Sequence, residues 1–297
     1  MKRCYASKNF RKDTLKVIAL ADDIIQEYID EGLDLTLRQL YYQFVSRGLL
    51  ANSQKSYDRL GNIISDARLA GLLDWDAIVD RTRTVRDFSF WDDPADIVSD
   101  CSRWFHLDWW EGQSFRPEVW IEKEALLGVI AGPCARFRVP YFACKGYSSQ
   151  SSQWRAAMRF LETQQNGQMP AIIHLGDHDP SGIDMTRDIM DRINLFLERE
   201  GGDPIEVNRI ALTWDQIQKY DPPPNPTKMS DSRAPAYVEI YGKESWELDA
   251  LDPKTLDKLV TDTVLEYRDD EDAYEGVREQ ERVHRELLAA VSQELGA

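Results

Sequence analysis

Apolar residues recur at helical spacing through the N-terminal part of the chain. Over residues 13–31, Leu15, Ile18, Ala19, Ala21 and Ile25 fall on one side of a 3.6-residue repeat. A second helix is predicted in DLTLRQLYYQFVSRGLL, where Thr36 with Gln39 three residues later makes a capping-box pattern and Gly48 supplies the stop. A third, over 56–70, gathers Leu60, Ile63, Ile64 and Ala67 and ends at Gly71. The pattern then loosens into the alternation of IVDRTRTVRDFSF, which reads as a short β-hairpin or wing. Three helices followed by a β-ribbon is the order of a winged helix-turn-helix, a module able to lay a helix in a DNA groove. The same order also serves small folds with no DNA role.

Residues 91–116 form an aromatic-rich junction (Trp91, Trp104, Phe105, Trp109, Trp110) suited to core or interdomain packing. From Pro117 the rhythm alternates strand and helix. PEVWIEK, VPYFAC, AIIHLGD and IEVNRIAL read as strands, separated by helical EALLGVIAGPCARF, SSQWRAAMRFLETQQ and SGIDMTRDIMDRINLFLERE. Such alternation predicts an α/β, Rossmann-like parallel sheet over 117–213 with helices on both faces. Ligands of such sheets collect at the carboxyl ends of the strands. Residues 214–297 begin with the proline-rich DPPPNPTKMSDSRAPAY, expected as an ordered loop or linker, and continue as a helical extension. Its last stretch, RDDEDAYEGVREQERVHRELLAAV, reads as a charged surface helix. The expected divisions are therefore 1–90, 91–116, 117–213 and 214–297.

Charge sharpens this division. The net charge of −16 weighs against nucleic acid as a partner. Yet residues 1–90 hold 14 Lys and Arg against 13 Asp and Glu, or +1, leaving 22 against 39, or −17, for the remainder. Net charge describes an average field, not one face, and any DNA affinity is expected to depend strongly on salt. No run approaches the roughly 20 apolar residues of a membrane span. The polar, basic start does not resemble a secretory signal. The four cysteines are scattered without a C-x-x-C pair, so neither a zinc site nor a disulfide framework is expected. A cytoplasmic location follows.

The chemistry concentrates in AIIHLGDHDPSGID, where an apolar strand runs into Asp177 and Asp179. Alternation puts both carboxylates on one side, and like charges held so close would force one to protonate. A divalent cation resolves the conflict, and all-oxygen ligation suits Mg²⁺ or Mn²⁺. Glu122, at the end of a neighbouring strand, can supply a third ligand. Pro180 and Gly182 turn the chain so that the next helix starts beside the site, an arrangement favourable to phosphates. The competing reading is a pair of surface aspartates that cap a helix. His178, between them, should point away into packing or solvent.

IEKEAL at 121–126 together with GDHDPSG at 176–182 resembles the TOPRIM domain shared by topoisomerases, primases and some nucleases. DHDPSG with KGY at 145–147 is similar to the A subunit of topoisomerase VI and the meiotic double-strand-break protein family, which carry a winged-helix domain ahead of the TOPRIM domain. The family's nucleophile helix has Arg, two or three residues, then paired aromatics ending in Tyr. TLRQLYY matches it, with Arg38, Tyr41 and Tyr42. The likeness spans roughly 35–251 and includes WELDAL, similar to the family's closing motif. Two departures stand out: the chain is short, and KGY is followed by SSQSSQW where the family has a proline and a Thr-Arg pair. The resemblance is strongest to small stand-alone topoisomerase-VI-A-like proteins of bacteria and mobile elements.

This resemblance implies Tyr42 as nucleophile, Arg38 beside it, and Mg²⁺ (or Mn²⁺) on Glu122, Asp177 and Asp179. It also implies DNA as substrate, a homodimer that pairs one protomer's tyrosine with the other's metal site, and a nucleoid-associated location. Nothing resembles an ATP-binding P-loop, so strand passage would need a separate ATPase subunit. A phenol ionises near pH 10, so attack on a phosphodiester would need a cation or base nearby. Arg38, one helical turn before Tyr42, shares its face; Tyr41 points about 100° away. Lys55, Arg59 and Arg68 on the third helix, Arg81, Arg83 and Arg86 on the wing, and Lys123 and Lys145 are candidates for phosphate contacts. Three functions fit: DNA cleavage through a 5′-phosphotyrosyl link, metal-dependent hydrolysis of DNA or RNA, and a non-catalytic DNA-binding or assembly role.

Overall fold

The computed structural model describes residues 2–30, 33, 35–79 and 90–296. Three helices open the chain: α1 (Lys12–Ile29), α2 (Leu37–Ser46) and α3 (Gln54–Leu69). They pack around Ile18, Ile25, Leu40, Phe44, Leu60 and Ile64, the apolar stripes of the periodicity. The capping box forms as expected: Thr36 Oγ1 accepts the Gln39 N–H at 3.2 Å, and Gln39 Oε1 accepts the Thr36 N–H at 2.9 Å. α2 ends at Ser46, and Gly48, two residues on, takes φ +67°, a conformation glycine reaches without steric cost. Ile78 bridges to Leu35 in parallel, which brings the start of the expected wing beside α2. The rest of that wing, with Arg81, Arg83 and Arg86, lies outside the described residues.

The aromatic junction holds a helix that its aromatic content masks, α4 (Pro94–Trp104), capped by Asp93 Oδ1 on the Ala95 N–H at 2.7 Å. Of its aromatics Trp110 is fully buried, whereas Trp104 is 75% exposed, so the packing role expected of the whole cluster falls to part of it.

The α/β unit follows the predicted alternation: β1 (Phe115–Ile121), α5 (Leu127–Phe137), β2 (Tyr141–Ala143), α6 (Gln150–Gln165), β3 (Met169–Leu175), α7 (Pro180–Arg199) and β4 (Val207–Ala211). The four strands form one parallel sheet in the order β2-β1-β3-β4. Alternation sorts its side chains: Val119, Ile121, Ile173 and Leu175 join the core under α5, and Trp120 and Ile172 the core under α6 and α7. From β1 the chain moves outward to β2, then crosses back to β3 on β1's other side. The crevice between the carboxyl ends of β1 and β3 is therefore the sheet's switch point, where ligands of such sheets bind.

Beyond Thr213 come α8 (Trp214–Tyr220), β5 (Asn225–Pro226), α9 (Ala234–Tyr241), β6 (Glu244–Ser245), α10 (Pro253–Glu266) and α11 (Glu271–Leu295). The stretch read as a loop, residues 221–237, thus runs into the first half of α9. Its proline lies in the first turn, where the missing N–H costs no helical bond. α10 packs on α5, and α11 lies along α4. The expected surface helix α11 buries Tyr274 and Glu281.

Candidate active site

Three chain segments converge on the β1/β3 crevice. Glu122 directly follows β1, and its Oε2 accepts the Asp177 N–H at 2.8 Å, tying the two strand ends together. Asp177 is buried; its Oδ1 accepts the Leu248 N–H at 2.8 Å, and its Oδ2 lies 3.1 Å from Lys123 Nζ. Asp179 is the N-cap of α7, its Oδ1 accepting the Gly182 N–H at 2.6 Å and the Ser181 hydroxyl at 2.9 Å. Helix capping and convergence on one cleft therefore coexist at this residue. Gly182 is required by space: a Cβ there would stand 2.2 Å from the Asp177 carbonyl oxygen.

The third segment is WELDAL. Residues 178 and 246 form an antiparallel bridge, with backbone bonds of 2.8 and 2.9 Å, that docks this segment beside the aspartates. Glu247 and Asp249 then face Lys123, whose Nζ stands 3.0 Å from Glu247, 3.2 Å from Asp249 and 3.1 Å from Asp177. Burial works against the charged ammonium, but the three carboxylates outweigh it and hold Lys123 protonated. Glu247 also takes a two-pronged contact from Arg38 of α2, at 3.0 Å from Nε and 2.7 Å from Nη2. One turn on, Tyr42 presents its ring 5.9 Å from the Arg38 guanidinium, and its hydroxyl accepts from Asn225 Nδ2 at 3.3 Å. Arg38, the three predicted acids, Asn225, Glu247 and Asp249 line one cleft of about 570 Å³. Tyr42 does not line it; Asn225 links its hydroxyl to it. Both links between α2 and the acids are made within a single chain.

The electrostatics are unbalanced. Along the cleft Glu122, Glu124, Asp177, Asp179, Glu247 and Asp249 outnumber Arg38, Lys123, Lys145 and Lys228, and still do so by one with buried Arg209 of β4 behind the loop. Burial and then Asp177 push the Glu122 carboxyl up to about 7. Asp177 is pushed up to about 6, chiefly by burial, against the pull of Lys123. Tyr42 is also raised, by burial and then by Glu247, so its phenolate is disfavoured.

The donor set suits a hard divalent cation. Among the described residues, however, no group of three His, Cys, Asp or Glu side chains stands ready to hold a metal. Lys123 and the Leu248 N–H take both oxygens of Asp177, and the start of α7 takes one of Asp179. Glu122 Oε1 and Asp179 Oδ2 accept no hydrogen bond among the described residues.

The remaining candidates are dispersed. Lys145, at the cleft rim, pairs with Glu124 at 2.7 Å. Lys55 and Arg59 are exposed on α3, and Arg68 stacks on Trp75 at 4.5 Å. Tyr41 turns into the three-helix unit, its hydroxyl accepting the Ser53 N–H at 2.8 Å. His178 points away from the acids, as expected, into Trp214, Tyr237, Tyr241 and Trp246, with Nδ1 2.9 Å from the Tyr237 hydroxyl.

Arg209, Asn225, Glu247 and Asp249 escaped the sequence reading as site residues. Arg209 donates to the carbonyls of Gly176 at 2.9 Å, Asp177 at 2.5 Å and Gly182 at 3.0 Å, fixing the aspartate loop from behind. An arginine inside an apolar strand was its signal; E-x-D within WELDAL was that of the pair. No family model and no curated protein matches the chain.

Proposed function

We propose that this chain cuts DNA by transesterification, in the manner of the topoisomerase-VI-A family it resembles, with Tyr42 as nucleophile and the acid cleft as its metal site. The observation that supports this reading is the apposition of Arg38 and Tyr42 to the acid cleft, through Glu247 and Asn225. Two features that the resemblance treats as separate motifs are 209 residues apart in sequence, at Arg38 and Glu247, yet in contact.

The bond formed is Tyr42 Oη to phosphorus, and the bond broken is phosphorus to the 3′ oxygen. The proton lost by the phenol balances the one gained by the leaving hydroxyl. Arg38 would turn from Glu247 to a phosphate oxygen, a geometry its planar fork suits. Asn225 holds the Tyr42 hydroxyl in place. A Mg²⁺ or Mn²⁺ held by Glu122, Asp179 and Asp177, the last only if Lys123 gives up its Oδ2, would neutralise charge on the phosphate. Lys145, and the cations of α3 with Arg81 and Arg83, would meet flanking phosphates, the N-terminal unit acting as a winged helix. A homodimer in which each Tyr42 serves its own chain's acid cleft, in place of the cross-protomer pairing that the resemblance implies, a separate ATPase subunit and a place at the nucleoid complete the proposal. No described helix is long and apolar enough to cross a membrane.

The raised phenol of Tyr42 favours a second reading, metal-dependent hydrolysis of DNA or RNA by water, in which Tyr42 is a packing residue. One experiment separates the two. Supercoiled DNA and Mg²⁺ are incubated with wild type, Tyr42→Phe and Asp177→Ala, quenched with detergent and assayed for protein attached to cut ends. The proposal expects a covalent product lost in both variants. Cutting that survives Tyr42→Phe but not Asp177→Ala establishes hydrolysis instead. No cutting by any of the three points to the third role, DNA binding or assembly, or to a missing partner.

A further inference from the structure

A second cleft, of about 530 Å³, opens on the far side of Arg38 and Asp249, which line both clefts. One stripe of α3 forms its wall: Tyr57, Gly61, Ile64, Ser65 and Arg68 recur at three- and four-residue steps. Gly61 leaves the middle of that stripe bare. A Cβ there would come within 3.2 Å of Leu37 Cδ2 on the opposite wall. Leu37, Ile64 and Ile78 make the remainder apolar, and Tyr57 and Trp75 contribute aromatic rings. Each ring carries a guanidinium: Arg38 lies 5.7 Å from the Tyr57 centroid, and Arg68 4.5 Å from that of Trp75.

Two of its lining side chains carry buried atoms with no hydrogen-bond partner among the described residues. One is a donor, Arg68 Nε; the other is an acceptor, Asp249 Oδ1. Asp249 is 4% exposed. Its Oδ1 lies 3.2 Å from Lys123 Nζ, close enough for ionic attraction but misaligned for a hydrogen bond. A buried donor without a partner is costly, and an acceptor held only by an off-axis ion pair keeps lone pairs to offer, so both atoms call for an explanation. A flat ligand whose edge offers both an acceptor and a donor would satisfy them while its faces meet aromatic and apolar walls.

We propose that this cleft receives an unpaired nucleobase of the DNA whose phosphate sits in the acid cleft. A nucleobase combines a π-face with an edge bearing both donors and acceptors, and stacking on aromatic side chains tolerates any base. Because Arg38 and Asp249 border both clefts, base and adjoining phosphate would bind side by side. The proposal rests on the DNA-cleavage reading and adds to it a preference for DNA that is locally unstacked. Extruding a base from an intact duplex is costly, and least so where the base is already unpaired.

The test compares fluorescence-anisotropy titrations of an intact duplex with the same duplex carrying one bulged nucleotide, in Mg²⁺ and in parallel in EDTA. The bulged duplex is expected to bind about tenfold more tightly. Ser65→Trp, at an exposed position on the rim, fills the cleft, and Trp75→Ala removes a stacking wall. Either change should bring the bulged-to-intact ratio within about twofold, since the stacking contribution is lost. Equal affinity of wild type for the two duplexes, or a preference that survives both substitutions, overturns the proposal while leaving the cleavage reading standing. No affinity for either duplex overturns both.

Discussion

Two buried carboxylate clusters sit in this molecule, and they behave in opposite ways. Glu281 of α11 is 3% exposed, yet it accepts from the Leu107 N–H and the Trp109 indole at 2.8 Å and meets Arg138 and Arg285 at 3.1 and 3.0 Å. Burial works against its charge, but those donors outweigh burial and hold its carboxyl below the usual range. Glu122 and Asp177 are shifted upward instead, because their neighbours are further carboxylates. One cluster is saturated with donors and fastens a helix to the junction. The other carries more negative charge than its own cations neutralise. Surplus charge, not burial, separates the cleft proposed to take a cation from a structural ion pair.

The largest expected contrast is in activity. Asp177→Ala should lower metal-dependent cleavage about a thousandfold, the scale of losing one essential electrostatic group. Glu281→Gln should leave the rate per folded molecule within about twofold, because that residue stabilises the fold far from the acids. A plasmid-cleavage time course normalised to folded protein checks both.

Stability should change in opposite directions at the two clusters. Glu281→Gln removes the buried carboxylate shared by partly exposed Arg138 and Arg285 and should cost about 2 kcal/mol. Glu122→Gln removes surplus charge and should raise stability at pH 8 by about 1 kcal/mol in the absence of divalent ions. Urea melts of the two variants decide this; losses of equal size would erase the distinction between the clusters.

Arg38→Ala should sharpen the picture. It removes the α2 contact to Glu247 and the predicted phosphate ligand, so cleavage should fall about a hundredfold. Stability should fall by only about 1 kcal/mol, since the pair is partly exposed. The remaining contrast concerns pH. His174 is buried beside α7, and burial and then Arg209 push its imidazole down to about 3. Below about pH 6.5 the unfolded chain takes up a proton that the folded chain refuses. Stability therefore falls with pH at that residue, by up to about 1.4 kcal/mol per unit. His174→Gln should flatten the slope between pH 6 and 4 in chemical melts, relative to wild type.

What could be read from the sequence follows a physical boundary. Helix and strand periodicity, the Thr36 cap and the placing of Glu122 and Asp177 at strand ends are local, because neighbouring residues share a face or a turn. The pairing of Arg38 with Glu247 and of Lys123 with Asp249 depends on how distant segments dock, and long-range charge pairs leave no periodic trace. Lys123 illustrates the limit: one lysine after a strand can face phosphate or carboxylate, and the WELDAL segment decides which it meets here. The helix α9 was hidden for a different reason, since its proline reads as a breaker except in a first turn.

Cation uptake by the acid cleft underlies both the proposed chemistry and the contrast with Glu281. Calorimetric titration of Mn²⁺ into wild type, Asp177→Ala and Glu281→Gln tests this without any substrate. One bound ion per chain in wild type and in Glu281→Gln, lost in Asp177→Ala, is the predicted result. No uptake by wild type, or uptake that Asp177→Ala leaves unchanged, would contradict it.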